Sequence, residues 1–250
     1  MLTSAVHVLC VVPARIGSTR LAQKPLRLIA GEPLIRHVAR RVAEFDLGLR
    51  VVVATDDPRV ADAVAGLPVE SLLTSPALTS GTERAAAVLA HPDYQRHEIV
   101  VNVQGDEPLI EREAVLGVLE RVSQLGEEIG TAAGPLEAGA LADPNRVKVV
   151  VDGRGRALGF FRTPRPPACG RREAIFQHVG VYAYRARALR RWTALPPTAQ
   201  ELDEQLEQLR PLAHGLTIGV AVLNAPVAPG VDTETDIGDI ESRLTVASWG

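Results

Sequence analysis

Asp106 and Glu107 stand side by side in the stretch VVNVQGDEPLI, directly after residues that favour an extended strand. A strand fit for a sheet interior that ends in adjacent carboxylates points either to a solvated turn or to a cation held beside a ligand. Gly, Asp and Pro are common in turns, so this stretch alone leaves both open. A second acidic spot, PGVDTETD at 229–236, also follows a strand, and Asp232 could approach Asp106 across neighbouring strand ends. Two carboxylates and the oxygens of a triphosphate would complete an octahedral shell around Mg2+.

The cations that such a ligand needs stand early in the chain. PARIGSTRLAQKPL (13–26) offers Gly17, Ser18 and Thr19 together with Arg15, Arg20 and Lys24. It is neither a Walker A loop nor a GxGxxG fingerprint, which argues against a dinucleotide-dependent dehydrogenase. Flexible backbone, hydroxyls and positive charge at a sheet edge nevertheless make a phosphate cradle, with a solvated basic loop as the alternative. Cradle and carboxylates belong together, because a nucleotide's phosphates need both.

The elements that must position these residues alternate. VHVLCVV (6–12) is a continuous apolar run, the pattern of a strand buried on both faces. Helix-spaced Leu34, Ile35, Val38, Val42 and Phe45 follow, with Pro33 early. LRVVVAT (49–55) is a second strand, after which Asp57 and Pro58 read as N-cap and first residue of a helix. VESLLT, the helix GTERAAAVLAH, the strand EIVVNV (98–103) and the helix EREAVLGVLERVSQL continue the cadence. The fold expected is a three-layer α/β/α with a mostly parallel sheet, which binds ligands outside the carboxyl ends of its strands. The opening carboxylates fall there.

After residue 140 the texture changes. VKVVVDGRGRALGFF reads as a hairpin turning at Asp152-Gly153, and RTPRPPACGRR as an irregular excursion. HVGVYAYR is a strand, on which Tyr182 and Tyr184 are expected on opposite faces, so that at most one meets ligand. QELDEQLEQLRPLAHG is expected to be one helix with the apolar stripe Leu202, Leu206, Leu209 and Ala213. TIGVAVLN and TETDIGDIESRLT close the chain as strand and helix. Residues 140–215 are thus expected to be an inserted β-rich and helical subdomain in a single domain spanning 1–250.

The bulk composition narrows the function classes. A net charge of −3 over 250 residues, with 46% hydrophobic and 23% charged, gives no reason to expect nucleic acid or an anionic membrane as partner. No apolar run approaches the roughly 20 residues of a membrane span. Cys10 and Cys169 belong to no CxxC or Cys/His cluster, so a zinc site or disulfide framework is not expected. A cytoplasmic, reducing address without a signal peptide fits these features.

PARIGSTRLAQKPL, ATDD, TSGTERAA, VNVQGDEP, HVGVYAYR, LEQLR and GVDT stand in order across nearly the whole chain. The set resembles the 3-deoxy-manno-octulosonate (Kdo) cytidylyltransferase family, the CMP-Kdo synthetases. That resemblance implies transfer of CMP from CTP to the anomeric hydroxyl of Kdo, with Mg2+ as cofactor, in lipopolysaccharide biosynthesis. It implies a homodimer built through the inserted region, which also binds the acceptor. By position it assigns Pro13, Ala14, Arg15, Ser18, Lys24, Arg84, Gln104 and Asp106 to the nucleotide. Arg15, Lys24 and Asp106 are its catalytic residues, and Asp106 and Asp232 its metal ligands. Gln104, Arg162, His178, Tyr182, Glu207 and Gln208 fall on the acceptor side. Read from the residues alone, the favoured reading of His178 on an alternating strand is a satisfied core histidine, and that of Glu207 and Gln208, off the apolar stripe, a solvated helix face.

Three departures from the family pattern stand out. LPGKPL becomes LAQKPL, with Ala22 and Gln23; the serine of SRA.IP becomes Phe161, followed after Arg162 by TPRPP; and the segment from Arg162 to His178 is shorter. All but the first fall on the acceptor side, so another 2-keto sugar acid or a phosphonate is the alternative acceptor. A nucleotide-binding module without catalysis is a further alternative, against which the retained carboxylates and Lys24 argue.

Overall fold

The computed structural model describes residues 7–18, 20–163 and 173–247. The chain divides into two compact units, Met1–Arg112 with Ala228–Gly250, and Glu113–Val227. The first unit opens with β1 (Val8–Ala14), buried along its whole length as an unbroken apolar run requires. A 3-10 turn (Lys24–Leu26) leads to a small hairpin, β2 (Leu28–Ile29) and β3 (Glu32–Pro33). Helix α1 (Leu34–Glu44) buries Leu34, Ile35, Val38 and Val42 at helical spacing. Then come β4 (Arg50–Thr55), α2 (Pro58–Ala63), β5 (Glu70–Leu73), α3 (Gly81–Ala90) and β6 (Ile99–Val103). Asp57 caps α2 as expected, accepting the Arg59 N–H at 2.9 Å. Ser80 and Glu83 close a reciprocal capping box on α3.

These four longer strands pair in parallel in the order β6-β1-β4-β5. Successive strands run one way from β1 through β4 to β5, and then the chain returns to β6 on the other side of β1. Right-handed crossovers therefore put α1 and α2 on one face and α3 on the other. The order reverses between β1 and β6, which makes the carboxyl ends of those two strands the switch point where α/β sheets bind ligands. The first loop leaves β1 there, and Gln104–Asp106 leave β6 there.

The second unit holds α4 (Arg112–Ser123, begun by the last residue of the first), β7 (Ile129–Gly134), β8 (Lys148–Val151), β9 (Ala157–Phe161), β10 (Ala174–Arg185), α5 (Ala186–Ala194), α6 (Ala199–Glu204), α7 (Leu209–Ala213) and β11 (Ile218–Val222). β11 lies parallel to β7, whereas β10 pairs antiparallel with both β7 and β8, and β8 with β9. The expected 140–215 insertion lies within this unit. Helix α8 (Glu234–Ala247) returns to the first unit. No helix among the described residues is long and apolar enough to cross a membrane.

Three local expectations are corrected. The β8–β9 connection is wider than a turn at Asp152-Gly153: Asp152 Oδ1 accepts the N–H groups of Arg154 and Arg156 at 2.8 Å, and the left-handed residue is Gly155, at φ 75°. The single helix expected over 200–215 is two helices. Gln205 turns left-handed at φ 54° and ends α6, and Pro211 would clash with the Glu207 carbonyl in a continuous helix. Leu202, expected in the apolar stripe, is 65% exposed. Tyr182 and Tyr184, two residues apart on a strand, share a face rather than opposing: their rings stack 5.9 Å apart.

Candidate active site

Gly105 is the residue that lets β6 deliver its carboxylate. A Cβ built on it would lie 2.5 Å from the Pro13 carbonyl oxygen, so only glycine permits the β6 loop to pass so close to the end of β1. The Asp106 carbonyl then accepts the Val231 N–H at 2.8 Å, which ties the segment carrying Asp232 to the loop carrying Asp106. Asp236 fixes the other side of that segment, its Oδ2 accepting the N–H groups of Asp232 at 2.9 Å and Thr233 at 2.7 Å. The two carboxylates, remote in sequence, are therefore anchored through backbone.

Their side chains meet on Lys24. Its Nζ donates to Asp106 Oδ2 at 2.5 Å and to Asp232 Oδ1 at 2.8 Å, while Arg20 Nη1 lies 2.9 Å from Asp232 Oδ2. Burial works against the Lys24 charge, but the charges of Asp106 and Asp232 and the hydrogen bonds to both outweigh it, and the ammonium is held above the ordinary lysine range. The ammonium is a cation-sized probe of this spot: one oxygen of each carboxylate is aimed at a single point. Hard carboxylate oxygens in that arrangement fit Mg2+. Among the described residues no group of three or more His, Cys, Asp or Glu forms a metal cage.

The rest of the first loop lies at the same edge. Pro13 and Ala14 are the buried end of β1, Arg15 is exposed, and Ser18 Oγ accepts the Leu21 N–H at 3.4 Å. Thr19 lies outside the described residues. Gln23 adopts φ 51°, ψ 37° just before the turn that carries Lys24, so the left-handed backbone suited to the family's glycine is kept by a residue with a Cβ. Gln104 packs against Gly81 at the start of α3, where a Cβ would meet its amide at 2.8 Å. Arg84 is 1% exposed and donates to Thr74 Oγ1, Asp56 Oδ2 and the Leu78 carbonyl. Sequence reasoning gave no role to Asp56, Asp236 or the Arg20–Asp232 pair; Asp56 was legible as the first residue past a buried parallel strand in ATDD.

The residues assigned to the acceptor are all in the second unit except Gln104. In β10 the pairing with β7 shifts between Val179 and Tyr182, and the rings of His178 and Tyr182 lie 5.4 Å apart. Thr131 Oγ1 donates its one proton to the Val181 carbonyl at 2.8 Å and lies 2.9 Å from His178 Nε2. Nε2 must therefore carry the proton and donate, which leaves Nδ1 as the acceptor. Burial, with a smaller contribution from Arg162, pushes His178 down to about 3, so the ring is neutral at working pH. Arg162 is held by its backbone: Glu204 accepts its N–H at 3.2 Å and Lys148 Nζ donates to its carbonyl. Glu207 is half-buried and Gln208 buried in the break between α6 and α7, not on a solvated helix face. Cys169 and the residues 164–172 lie outside the described residues; Cys10 is buried and free.

A parallel sheet with carboxylates and a cationic loop at its switch point defines an α/β nucleotide-binding protein. The cytidylyltransferase family profile matches residues 9–218. The chain is 46% identical over 238 residues, covering 92% of it and 91% of the relative, to the 3-deoxy-manno-octulosonate cytidylyltransferase of Gemmatimonas aurantiaca. It is 45% identical over 236 residues to that of Rhodospirillum centenum, covering 92% of this chain and 90% of the relative. A solved CMP:2-keto-3-deoxy-manno-octonic acid synthetase complexed with CTP superposes with a TM-score of 0.85 at 36% identity, covering 96% of this chain and 99% of its own. The chain belongs to the 3-deoxy-manno-octulosonate cytidylyltransferase family.

Proposed function

We propose that this protein transfers CMP from CTP to the anomeric hydroxyl of Kdo, releasing pyrophosphate. The observation that carries this reading is the convergence of Asp106 and Asp232 on the Lys24 ammonium at the sheet's switch point, in a chain so similar to Kdo cytidylyltransferases. Asp106 and Asp232 would hold Mg2+, which when bound neutralises phosphate oxygens and lowers the pKa of a nearby hydroxyl. Arg15 and Ser18 hold the triphosphate in the loop, with Pro13 and Ala14 beside the base and Gln104 at the sugar-acid side. Lys24, cationic throughout, answers the charge that builds on the phosphates as the acceptor oxygen bonds to the α-phosphorus and pyrophosphate departs.

His178, Arg162, Tyr182, Glu207 and Gln208 are the acceptor-side set. Because His178 is neutral, its contribution is a hydrogen bond rather than a counter-charge, which leaves Arg162 to answer the sugar acid's carboxylate. Phe161 does not alter this reading: it is buried, with Lys148 Nζ 5.7 Å from its ring centre, so the change from serine is absorbed by packing. A homodimer formed through residues 140–215, a cytoplasmic location and a role in lipopolysaccharide synthesis complete the proposal.

The test is pyrophosphate release from CTP and Mg2+ over a panel of 2-keto sugar acids and a phosphonate. Release with Kdo is expected. Release with a different acceptor only would reassign the substrate, and CTP binding without release in any mixture would leave a nucleotide-binding module. Light scattering of the purified protein reads the oligomeric state directly.

A further inference from the structure

Asp56 is a nearly buried carboxylate whose two oxygens face different ways. Its side chain is 9% exposed. Oδ1 accepts the Ile16 N–H at 2.9 Å, and Oδ2 accepts from Arg84 Nη2 at 3.0 Å. Ile16 lies between Arg15 and Ser18, and its carbonyl in turn accepts the Ser18 N–H at 2.9 Å. The peptide that Asp56 grips is thus the one from which the phosphate loop springs. Arg84 is pinned in its turn by Thr74 Oγ1, whose own proton goes to the Thr55 carbonyl at 3.0 Å, and by the Leu78 carbonyl. The ends of β1, β4 and β5 and the first turn of α3 are linked through one carboxylate and one guanidinium.

We infer that Asp56 and Arg84 form a positioning pair for CTP: Asp56 fixes the Ile16 amide, and with it the places of Arg15 and Ser18, and Arg84 holds Asp56 in the orientation that does so. This rests on the reading of 13–26 as the triphosphate loop. Two features favour it over simple structural bracing. The pair ends on a backbone N–H of the loop rather than on another core group. And Arg84, 1% exposed with both Nη atoms engaged, is joined to the loop through Asp56. A loop displaced by about 1 Å from reacting groups is enough to cost on the order of a hundredfold in rate.

The experiment compares wild type with Asp56→Ala, Asp56→Asn, Arg84→Met and the Asp56→Ala/Arg84→Met double variant, reading calorimetric CTP affinity, both KM values and thermal midpoints. Asn retains an acceptor for the Ile16 N–H but loses the charge that holds Arg84. Asp56→Ala should weaken CTP binding and raise its KM at least tenfold while leaving the acceptor KM within twofold. Asp56→Asn should recover much of that loss, and the double variant should be no worse than Asp56→Ala. The inference is overturned if CTP affinity in folded Asp56→Ala stays within threefold of wild type, if both KM values rise together, or if the two losses add. The loop reading itself is tested separately by Arg15→Ala, which leaves the Asp56–Arg84 pair untouched: unchanged CTP binding there overturns the loop reading and the inference resting on it, whereas weakened binding there with unchanged binding in Asp56→Ala overturns the inference alone.

Discussion

The Pro13 carbonyl oxygen and the Cβ position of Gly105 are 2.5 Å apart, so the first loop and the carboxylate loop meet at a place where no side chain fits. Real Cβ atoms do not approach backbone oxygen so closely, and relief means moving one of the two loops. Gly105→Ala is expected to cost about 1–3 kcal/mol of stability, the usual penalty of overpacking. Nucleotidyl transfer should fall by more than tenfold, since either displacement moves Asp106 or the residues after Pro13. Urea denaturation paired with initial rates checks both halves. A variant with wild-type rates would show that the close approach has no part in positioning the site.

Asp106→Asn separates metal holding from nucleotide holding. The amide keeps the size of the carboxylate and removes its charge at the point where Lys24 Nζ sits 2.5 Å away. Turnover should drop at least a hundredfold in Mg2+, with CTP affinity changed by less than tenfold, because Arg15, Ser18 and Lys24 remain in the loop. Asp232→Asn is expected to follow the same pattern more mildly, since Arg20 also meets that carboxylate. Full activity of Asp106→Asn in Mg2+ would remove the metal-based mechanism.

Lys148 is a fully buried ammonium whose Nζ donates to three backbone carbonyls, those of Asp143, Arg146 and Arg162. Burial lowers its pKa, and the carbonyls are what make the site tolerable. Lys148→Met fills the volume but removes the ammonium from all three carbonyls; the Asp143 carbonyl keeps the Arg146 N–H at 3.3 Å, and the loss at the other two is about 1–3 kcal/mol each. A total loss of at least about 2 kcal/mol is expected, which lowers the thermal midpoint by roughly 4–8 °C in a chain of this size. Since the Arg162 carbonyl is one of the three, the acceptor KM should rise while CTP binding holds. A thermal midpoint within 2 °C of wild type, on the same scale, would contradict this account.

The parallel strands and the site at their carboxyl edge were legible because buried strands and their loops write themselves locally: apolar runs without alternation, then Gly, Asp and Pro at the switch. Asp57 as a cap and Asp106 as a strand-end carboxylate needed only neighbours in sequence. What was illegible depended on partners far along the chain. Nothing near Asp56 announces Ile16 and Arg84, and nothing near Lys148 announces three carbonyls. The helix broken at Gln205 was misread because the apolar spacing of Leu202, Leu206 and Leu209 outweighed the warning given by Pro211. Gln23 shows the converse, a left-handed position held without the glycine that would signal it. Gln23→Gly should therefore keep activity and change stability by no more than about 1 kcal/mol, in the stabilising direction, as relief of left-handed strain implies. A loss of either would mean that the Gln23 side chain has a task of its own.

His178 gives the second unit a pH dependence of its own. Its folded-state pKa is about 3, against roughly 6.5 in an unfolded chain, so below pH 6.5 the unfolded state takes up a proton that the native state refuses. Stability from this residue is fully present above pH 6.5 and is lost progressively as pH falls toward 3. Between pH 6.5 and 5 the linkage amounts to about 1–2 kcal/mol, the lower figure reflecting the partly exposed edge of the ring. His178→Gln removes this titration. It should be less stable than wild type at pH 7.5, where the bond to Thr131 is lost, and the gap should narrow by about that amount at pH 5. Denaturant titrations at the two pH values measure the difference of differences. A gap that stays constant would mean that His178 is protonated in the native state at pH 5, in which case its ring could serve the acceptor as a cation after all.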